Sequence, residues 1–539
     1  TDFKKDPLMA CHPFQKPKLL PEMILDTIGS LSYVPLITSA GPSARNIPKT
    51  GNHMPDAHAD SPLYRLINPR SMAFFGASNN ISAMGTNLLL SVQAMGFEGP
   101  IYPVHPQADT VLGLKAYQRV MDLPEAPDLA VIVLPTRIVN QTLEACGERG
   151  IRNAVVVSGG FKERGGEGVA LEQELVRIGT QYHMAILGPN CLGVANPHHR
   201  LNTTFLPYEG RPGFIGLASQ SGSIITQLFE YLSAMELGFS TAISVGNEAV
   251  IDVVDCMRYL AGCPHTKVIA LYLEGITRGR AFLEAARSIV PHKPIVAFYV
   301  GGSETGRRAG FSHTGAMAGP DDVYEGMFRQ SGVIRARSVT ELFDFCWALG
   351  SLKRPRGARV VIQTHSGGPG AAAADSCGRA GLDLPALSEE TVEKLAAFVP
   401  GTGSVNNPVD LTFSRNPQDF FNDIPKILLE DEHTDILMIY FLTPSQVVTR
   451  ALTQMGVPPD RVAQEGEKMT DHFCRQVVDL IGRHDKPVVG FTFRSFEEPS
   501  VKGLLARGIP VYPGPERAAR SLAALTAYGA IRWRLGSSS

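Results

Sequence analysis

MAFFGASNNISAMGTNLLL, residues 72–90, decides the fold. It opens as a short, continuous apolar run. It then turns through Gly76, Ala77 and Ser78 and becomes helical around Gly85 and Thr86. An uninterrupted apolar run suits a parallel strand whose sheet is covered on both faces. A strand, a Gly-rich turn and a helix form the repeating unit of an α/β protein. The turn is also a candidate anion site. Gly76, Ser78, Gly85 and Thr86 can turn backbone N–H groups and hydroxyls toward a phosphate at a helix N-terminus. It is not GxGxxG, so the standard dinucleotide fingerprint is absent. A plain strand-to-helix turn explains the stretch about equally well.

The same texture continues outward. IYPVHP (101–106), LAVIVLP (129–135), NAVVVSGG (153–160) and MAILGP (184–189) read as further buried strands. Amphipathic segments lie between them, and RIVNQTLEACGERG closes on Gly150 as a helix C-cap. The pattern restarts at FIGLAS (214–219), with STAISVG, KVIALYLEG and KPIVAFYVGG. It restarts again at ARVVIQTHSGG (358–368), with TDILMIYFL and KPVVGFTF. KRPRG (353–357) reads as a boundary. The sequence therefore predicts three consecutive α/β domains over 62–203, 204–352 and 356–535. Residues 1–61, rich in Pro, Ser, His and Asn, read as an irregular N-terminal arm.

The totals agree with this. A chain of 539 residues has room for about three or four domains. Apolar residues make up 44 % and charged residues 19 %, and the net charge is −2. That is an ordinary globular composition, with no basic block for nucleic acid or a membrane surface. No apolar run reaches spanning length, and the first residues show no hydrophobic signal core. Eight cysteines without a CxxC pair read as reduced thiols of a cytoplasmic protein.

Strand ends carry the chemistry. YPVHP places a Pro-bracketed turn with Val104 and His105 where a doubly wound sheet binds ligands. GPNCLG (188–193) offers Asn190 and its amides to a carbonyl or carboxylate oxygen. Cys191 there is more readily a packing residue than a nucleophile. In ASQSGSIITQ, Ser221, Gly222 and Ser223 begin an amphipathic helix. They either cap it or present its unpaired N–H groups to an anion. SVGNEAVID places Glu248 after a strand, and YLEGI places Glu274 after another. GFSHTGAMAG (310–319) sets His313 among small residues. No HxH, HxxxH or CxxC spacing surrounds it, so no metal site is expected. A covalent carrier needs one accessible ring nitrogen, an orienting acid and an anion-binding helix end. Glu274 and the helix start at 221–223 can supply the last two.

Taken in order, FFGAS, YPVHP, VVVSGGFKE, GPNCLG, SQSGS, SVGNE, YLEGI, SHTGAMAG, HSGGPG and NNPVDLT resemble the CoA-binding, or alpha, portion of the NDP-forming acyl-CoA synthetases, relatives of succinyl-CoA synthetase. The resemblance implies a Rossmann-like CoA-binding domain followed by two flavodoxin-like domains. It implies that His313 is phosphorylated, that Glu274 orients its ring, and that Glu248 is a second acid of that site. Ser221, Gly222 and Ser223 would bind the phosphoryl group. Gly76, Ala77, Ser78, Gly85 and Thr86 would cradle CoA phosphates, with Val104 and His105 near the adenosine. Asn190 and Cys191 would line the acyl pocket. Two positions depart from the family pattern: His105 replaces a common Asn, and HSGG at 365–368 replaces NGGG.

No ATP-grasp segment follows the third domain. ATP and Mg2+ are therefore expected at a separate ATP-grasp beta subunit, with CoA and a small carboxylic acid as this chain's own substrates. Two competing readings are a CoA-binding regulatory module without turnover and a Rossmann dehydrogenase. The retention of His313 and Glu274 weighs against the first, and the missing GxGxxG against the second.

Overall fold

The computed structural model describes residues 58–208, 210–305, 319–412, 418–442 and 445–536. Residues 56–539 form one compact unit. The expected arm over 1–61 lies almost wholly outside the described residues. His313 also lies outside them.

The opening stretch folds as its pattern predicts. Strand β1 (Met72–Phe75) is buried throughout and leads through the turn into the helix Met84–Ala94. β2 (Ile101–Val104) lies beside it, and a small hairpin, β3 (Thr110–Val111) with β4 (Leu114–Lys115), follows. β5 (Leu129–Ile132), β6 (Asn153–Val156) and β7 (Ala185–Leu187) complete a parallel sheet of order β2-β1-β5-β6-β7. Both faces are covered. Met72, Phe74, Leu129 and Val131 enter one core cluster, and Ala73, Phe75, Ala130 and Ile132 enter another. This two-sided burial is why the runs show no polar alternation. The helix Thr136–Arg149 ends on Gly150 at φ +94°, the left-handed C-cap expected there.

The chain crosses to the second sheet before residue 203, where the first domain was expected to end. β8 (Val194–Asn196) pairs antiparallel with β9 (Leu201–Asn202) and with β11 (Phe239–Ser244). These two strands are two and three residues long, too short to register as apolar runs. The rest of the second sheet is parallel: β10 (Ile215–Ser219), β12 (Val268–Leu273), β13 (Ile295–Tyr299) and β14 (Ile334–Ala336). The whole sheet has the order β14-β13-β12-β10-β11-β8-β9. The third sheet takes β15 (Val360–Thr364), β16 (Val409–Asp410), β17 (Ile436–Tyr440), β18 (Val488–Thr492) and β19 (Val511–Pro513), ordered β16-β15-β17-β18-β19.

The parallel strands of all three sheets thus share one winding, with the second strand beside the first and the later ones on the other side; in the second sheet the antiparallel β8 and β9 extend beyond β11. In such a sheet the strand order reverses between the first and third strands. A crevice opens there, outside their carboxyl ends. The three crevices lie at β1/β5, β10/β12 and β15/β17.

The second and third domains are tied by the C-terminal helix Pro515–Gly536. Arg517 donates from both Nε and Nη2 to Asp344, at 2.7 and 2.6 Å, and Asp344 is 1 % exposed. Tyr512 donates its hydroxyl hydrogen to the Asp344 carbonyl at 3.0 Å. Among the described residues no helix is long and apolar enough to cross a membrane.

Candidate active site

The first crevice is shaped by two glycines. Gly76 has φ +91°, and a Cβ there would sit 2.0 Å from the Val133 carbonyl oxygen. A Cβ on Gly85 would sit 2.2 Å from the Gly76 carbonyl oxygen. The helix start therefore rests directly on the turn, and neither position accepts a side chain. Thr86 is fully buried. Its hydroxyl donates to the Ser78 carbonyl at 3.0 Å and accepts from the Ser78 N–H at 3.1 Å. Thr86 thus closes the loop and has no hydroxyl hydrogen left for a ligand. Ala77 is 1 % exposed, so its side chain is packing and only its backbone can serve an anion.

Asn79, which sequence reasoning missed, clamps this loop to the hairpin. Its amide donates to the Thr110 carbonyl at 3.0 Å and accepts from the Leu112 N–H at 2.9 Å. Val104 lies opposite Phe75, beside the turn. His105 Nδ1 accepts from the N–H groups of Gln107 and Ala108 at 3.2 and 2.9 Å. That nitrogen is an acceptor spent on its own turn.

The GPNCLG loop docks onto the SVGNE turn. Asn247 N–H donates to the Pro189 carbonyl at 2.9 Å, and Ala249 N–H to the Gly188 carbonyl at 3.2 Å. A Cβ on Gly246 would lie 2.3 Å from the Pro189 oxygen. Asn190 and Glu248 both hold left-handed backbone, at φ +59° and +58°. For a glutamate this costs on the order of 1 kcal/mol or more, so the surroundings must impose it.

Those surroundings are a polar network. Asn247 donates from Nδ2 to Glu163 at 2.6 Å and to Glu172 at 2.8 Å. Lys162 donates to the Asn247 carbonyl and pairs with Glu172 at 3.2 Å. Burial pushes the Glu163 carboxyl up, but hydrogen bonds from Asn247 and from backbone N–H groups outweigh it. The net effect holds the carboxyl below its ordinary value.

Two cavities meet at the second crevice. One, about 430 Å3, is walled by Met84, Val133, Asn190, Cys191, Gly222 and Ser223 among others. It joins the Gly76–Gly85 turn side of the first domain to the helix Gly222–Ser233 of the second. Ser221, its N-cap residue, makes no side-chain cap to that helix. Ser221 and Ser223 hydroxyls lie 3.5 Å apart at its start. Of the 221–223 stretch, Gly222 and Ser223 reach the cavity wall. The Cys191 thiol donates to the Val156 carbonyl at 3.3 Å and is 2 % exposed. Burial pushes it up to about 12, so it is not an available nucleophile.

The other cavity, about 370 Å3, is lined by Glu248, Glu274, Lys162, Asn247 and Tyr324 among others. Glu274 directly follows β12, and its N–H donates to Gln220 Oε1 at 2.5 Å. Glu248 accepts from Gln220 Nε2 at 2.8 Å and from the Val253 N–H at 2.8 Å. Burial is the largest influence on the Glu248 carboxyl and carries it up to about 7, against the pull of its two hydrogen bonds. Tyr324 accepts the Ile276 N–H at 3.0 Å and stacks on Tyr299, bracing the strand end beyond Glu274.

The structure thus brings Glu248 and Glu274 to one cavity, and Asn190, Cys191, Gly222 and Ser223 to its neighbour. Gln220, Gly246 and Asn247 wall both. Gln220 and Asn247 lie inside SQSGS and SVGNE, and Lys162 and Glu163 inside GGFKE. A polar residue ending an apolar run was the available signal. Nothing local marked Tyr324.

Comparison with known proteins identifies the three domains. Residues 70–197 match the CoA binding domain, 212–349 the succinyl-CoA ligase like flavodoxin domain, and 360–456 the Ligase-CoA domain. The alpha subunit of acetate–CoA ligase [ADP-forming] II of Pyrococcus furiosus is 39 % identical over 461 residues, covering 85 % of this chain and 96 % of that one. The 4-hydroxybutyrate–CoA ligase [ADP-forming] of Nitrosopumilus maritimus is 33 % identical, covering 86 % of this chain and 64 % of its own length. The solved dinucleotide forming acetyl-coenzyme A synthetase 1 of Ca. Korarchaeum cryptofilum, in complex with phosphate and ADP, superposes with a TM-score of 0.78 at 35 % identity over 88 % of this chain and 98 % of its own. These three family domains in this order, with a relative 39 % identical over most of both chains, place the chain in the ADP-forming carboxylate–CoA ligase family, as an alpha-type chain.

Proposed function

We propose that the chain forms acyl-CoA through a phosphohistidine at His313 and an acyl phosphate, with a separate ATP-grasp beta subunit that binds ATP and Mg2+ and loads the histidine. The observation that carries this reading is the pair Glu248 and Glu274 at one crevice, sharing a wall with the cavity that reaches the CoA-loop domain. Both acids have a use. Glu274 orients the ring of His313 and stabilises the phosphorylated imidazole, and Glu248 is the second acid of that site.

The chemistry requires two crevices. A carboxylate is a poor acyl donor, because its leaving group would be oxide. One carboxylate oxygen of the acid attacks the phosphorus of phosphohistidine, and the P–N bond breaks. The acyl phosphate and neutral histidine result. The CoA thiolate then attacks the acyl carbon, and phosphate leaves with the C–O bond electrons. The start of the helix Gly222–Ser233 carries about half a positive charge. Its N–H groups, which the Ser221 side chain does not cap, stabilise phosphoryl oxygens in both steps. Asn190 lines the acyl pocket, and Gly76, Ser78 and Gly85 hold CoA phosphates through backbone N–H groups. Thr86, with its hydroxyl closed on Ser78, supports that loop from beneath. The described cysteines are free thiols, which fits the expected cytoplasmic setting.

The second step needs no nucleotide and tests the reading on this chain alone. Acetyl, propionyl, butyryl and benzoyl phosphate, each with CoA, should yield thioester and phosphate from at least one donor. The absence of thioester from all four would refute the reading.

A further inference from the structure

Gln220 stands on the wall shared by the two cavities, and the family reading of its neighbours assigns it nothing. It directly follows β10 at the point where the strand order reverses, and its side-chain amide is fully used. Oε1 accepts from Glu274 N–H at 2.5 Å and from Gly275 N–H at 3.0 Å. Nε2 donates to the Glu248 carboxylate at 2.8 Å and to the Gly275 carbonyl at 2.7 Å. The partners settle which end of the amide is which, because two N–H groups face the oxygen and two oxygens face the nitrogen. No other side chain of this length offers two acceptor sites on one side and two donors on the other. A glutamate would set an oxygen against Glu248, and a methionine would satisfy none of the four groups.

We propose that Gln220 is a positioning residue for phosphoryl transfer, joining the Glu274 backbone and the Glu248 carboxylate into one hydrogen-bonded unit on the wall shared by both cavities. This rests on the reading that those two acids serve His313. The Gln220 amide is committed to Glu274, Gly275 and Glu248 and has no polar site left for a substrate. It acts by fixing where Glu274 leaves its strand and which way Glu248 points. Its donor also favours the ionised form of Glu248, against burial.

Two half-reactions of the full chain separate this role from a structural one. Acyl phosphate transfers its phosphoryl group to His313 in the first, and acyl phosphate is cleaved by CoA in the second. Only the first uses the Glu248–Glu274 unit. Gln220→Met should slow labelling of His313 from 32P-acetyl phosphate, or from the best donor of the four above, by about 100-fold, the cost of an angstrom-scale misplacement. KM for CoA in thioester formation should stay within about twofold, as expected for a side chain whose polar atoms are all committed to Glu274, Gly275 and Glu248. The acid limb of the labelling rate should move to higher pH by about one unit, since Glu248 loses a donor. Gln220→Glu keeps the acceptor for Glu274 and Gly275. It should also shift the limb upward, because two carboxyls in contact then share a proton. Unchanged labelling rates and an unshifted limb in both variants would overturn the proposal, as would equal slowing of both half-reactions. Full labelling of His313→Ala would instead overturn the underlying reading, whatever Gln220 does.

Discussion

Glu248→Gln gives a prediction that can be worked from the structure. Burial raises the Glu248 carboxyl from its ordinary 4.5 to about 7. Below pH 4.5 the folded and unfolded chains both hold the proton, and the group has no pH-dependent effect. Between 4.5 and 7 the unfolded chain releases it while the fold retains it, so stability falls as pH rises. Above 7 the loss is complete. At about 1.4 kcal/mol for each pH unit, it amounts to roughly 3 kcal/mol. Glutamine cannot titrate and escapes this loss. It also turns an N–H toward one of the donors Gln220 and Val253, which is a fixed, pH-independent cost. The variant-minus-wild-type stability should therefore start negative at pH 4.5 and rise by about 3 kcal/mol by pH 8. Urea unfolding at half-unit pH intervals, followed by a signal from the second domain, measures it. A difference that stays flat with pH would refute the argument and show that Glu248 is ionised throughout.

Three further outcomes follow from the same geometry. Gly85→Ala forces a methyl group against the Gly76 carbonyl oxygen, 2.2 Å away. If the turn holds CoA phosphates as proposed, the substitution should weaken CoA binding about tenfold or more by calorimetry, because the turn must open. Cys191 should resist iodoacetamide in the folded chain at pH 8, and Cys191→Ala should keep turnover within a few-fold, since its thiol is buried and pushed up to about 12. Peptide mapping of the alkylated protein checks the first of these. Arg517→Leu strands the Asp344 carboxylate, which burial already raises, and should cost about 3 kcal/mol in urea unfolding. The double variant Arg517→Leu/Asp344→Leu should recover part of that loss.

The fold was legible wherever an apolar run was long enough to stand out. Met72–Phe75, Leu129–Ile132, Val268–Leu273 and Ile436–Tyr440 all fall inside runs read as strands. The two- and three-residue strands at 194–196, 201–202 and 409–410 did not stand out. Their place is set by pairing with distant strands rather than by local pattern. The acids Glu248 and Glu274 were visible because each ends or follows an apolar strand. The separate jobs of Ser78 and Thr86 were not visible. Both are small hydroxyl residues in one loop, and only the closed hydrogen-bond pair shows that Thr86 serves the loop itself. Gln220 was overlooked for a similar reason. Its importance comes from residues 28, 54 and 55 positions away, which no local spacing connects.

The central claim is that a histidine carries the phosphoryl group between these two crevices. Incubating the chain with acyl-CoA and 32P-phosphate, then mapping the label by peptide mass spectrometry, tests it most directly. The account predicts one phosphorylated peptide containing His313, with acid-labile and base-stable phosphate, abolished by His313→Ala and strongly reduced by Glu274→Gln. Label on another residue, or full label in His313→Ala, would contradict it.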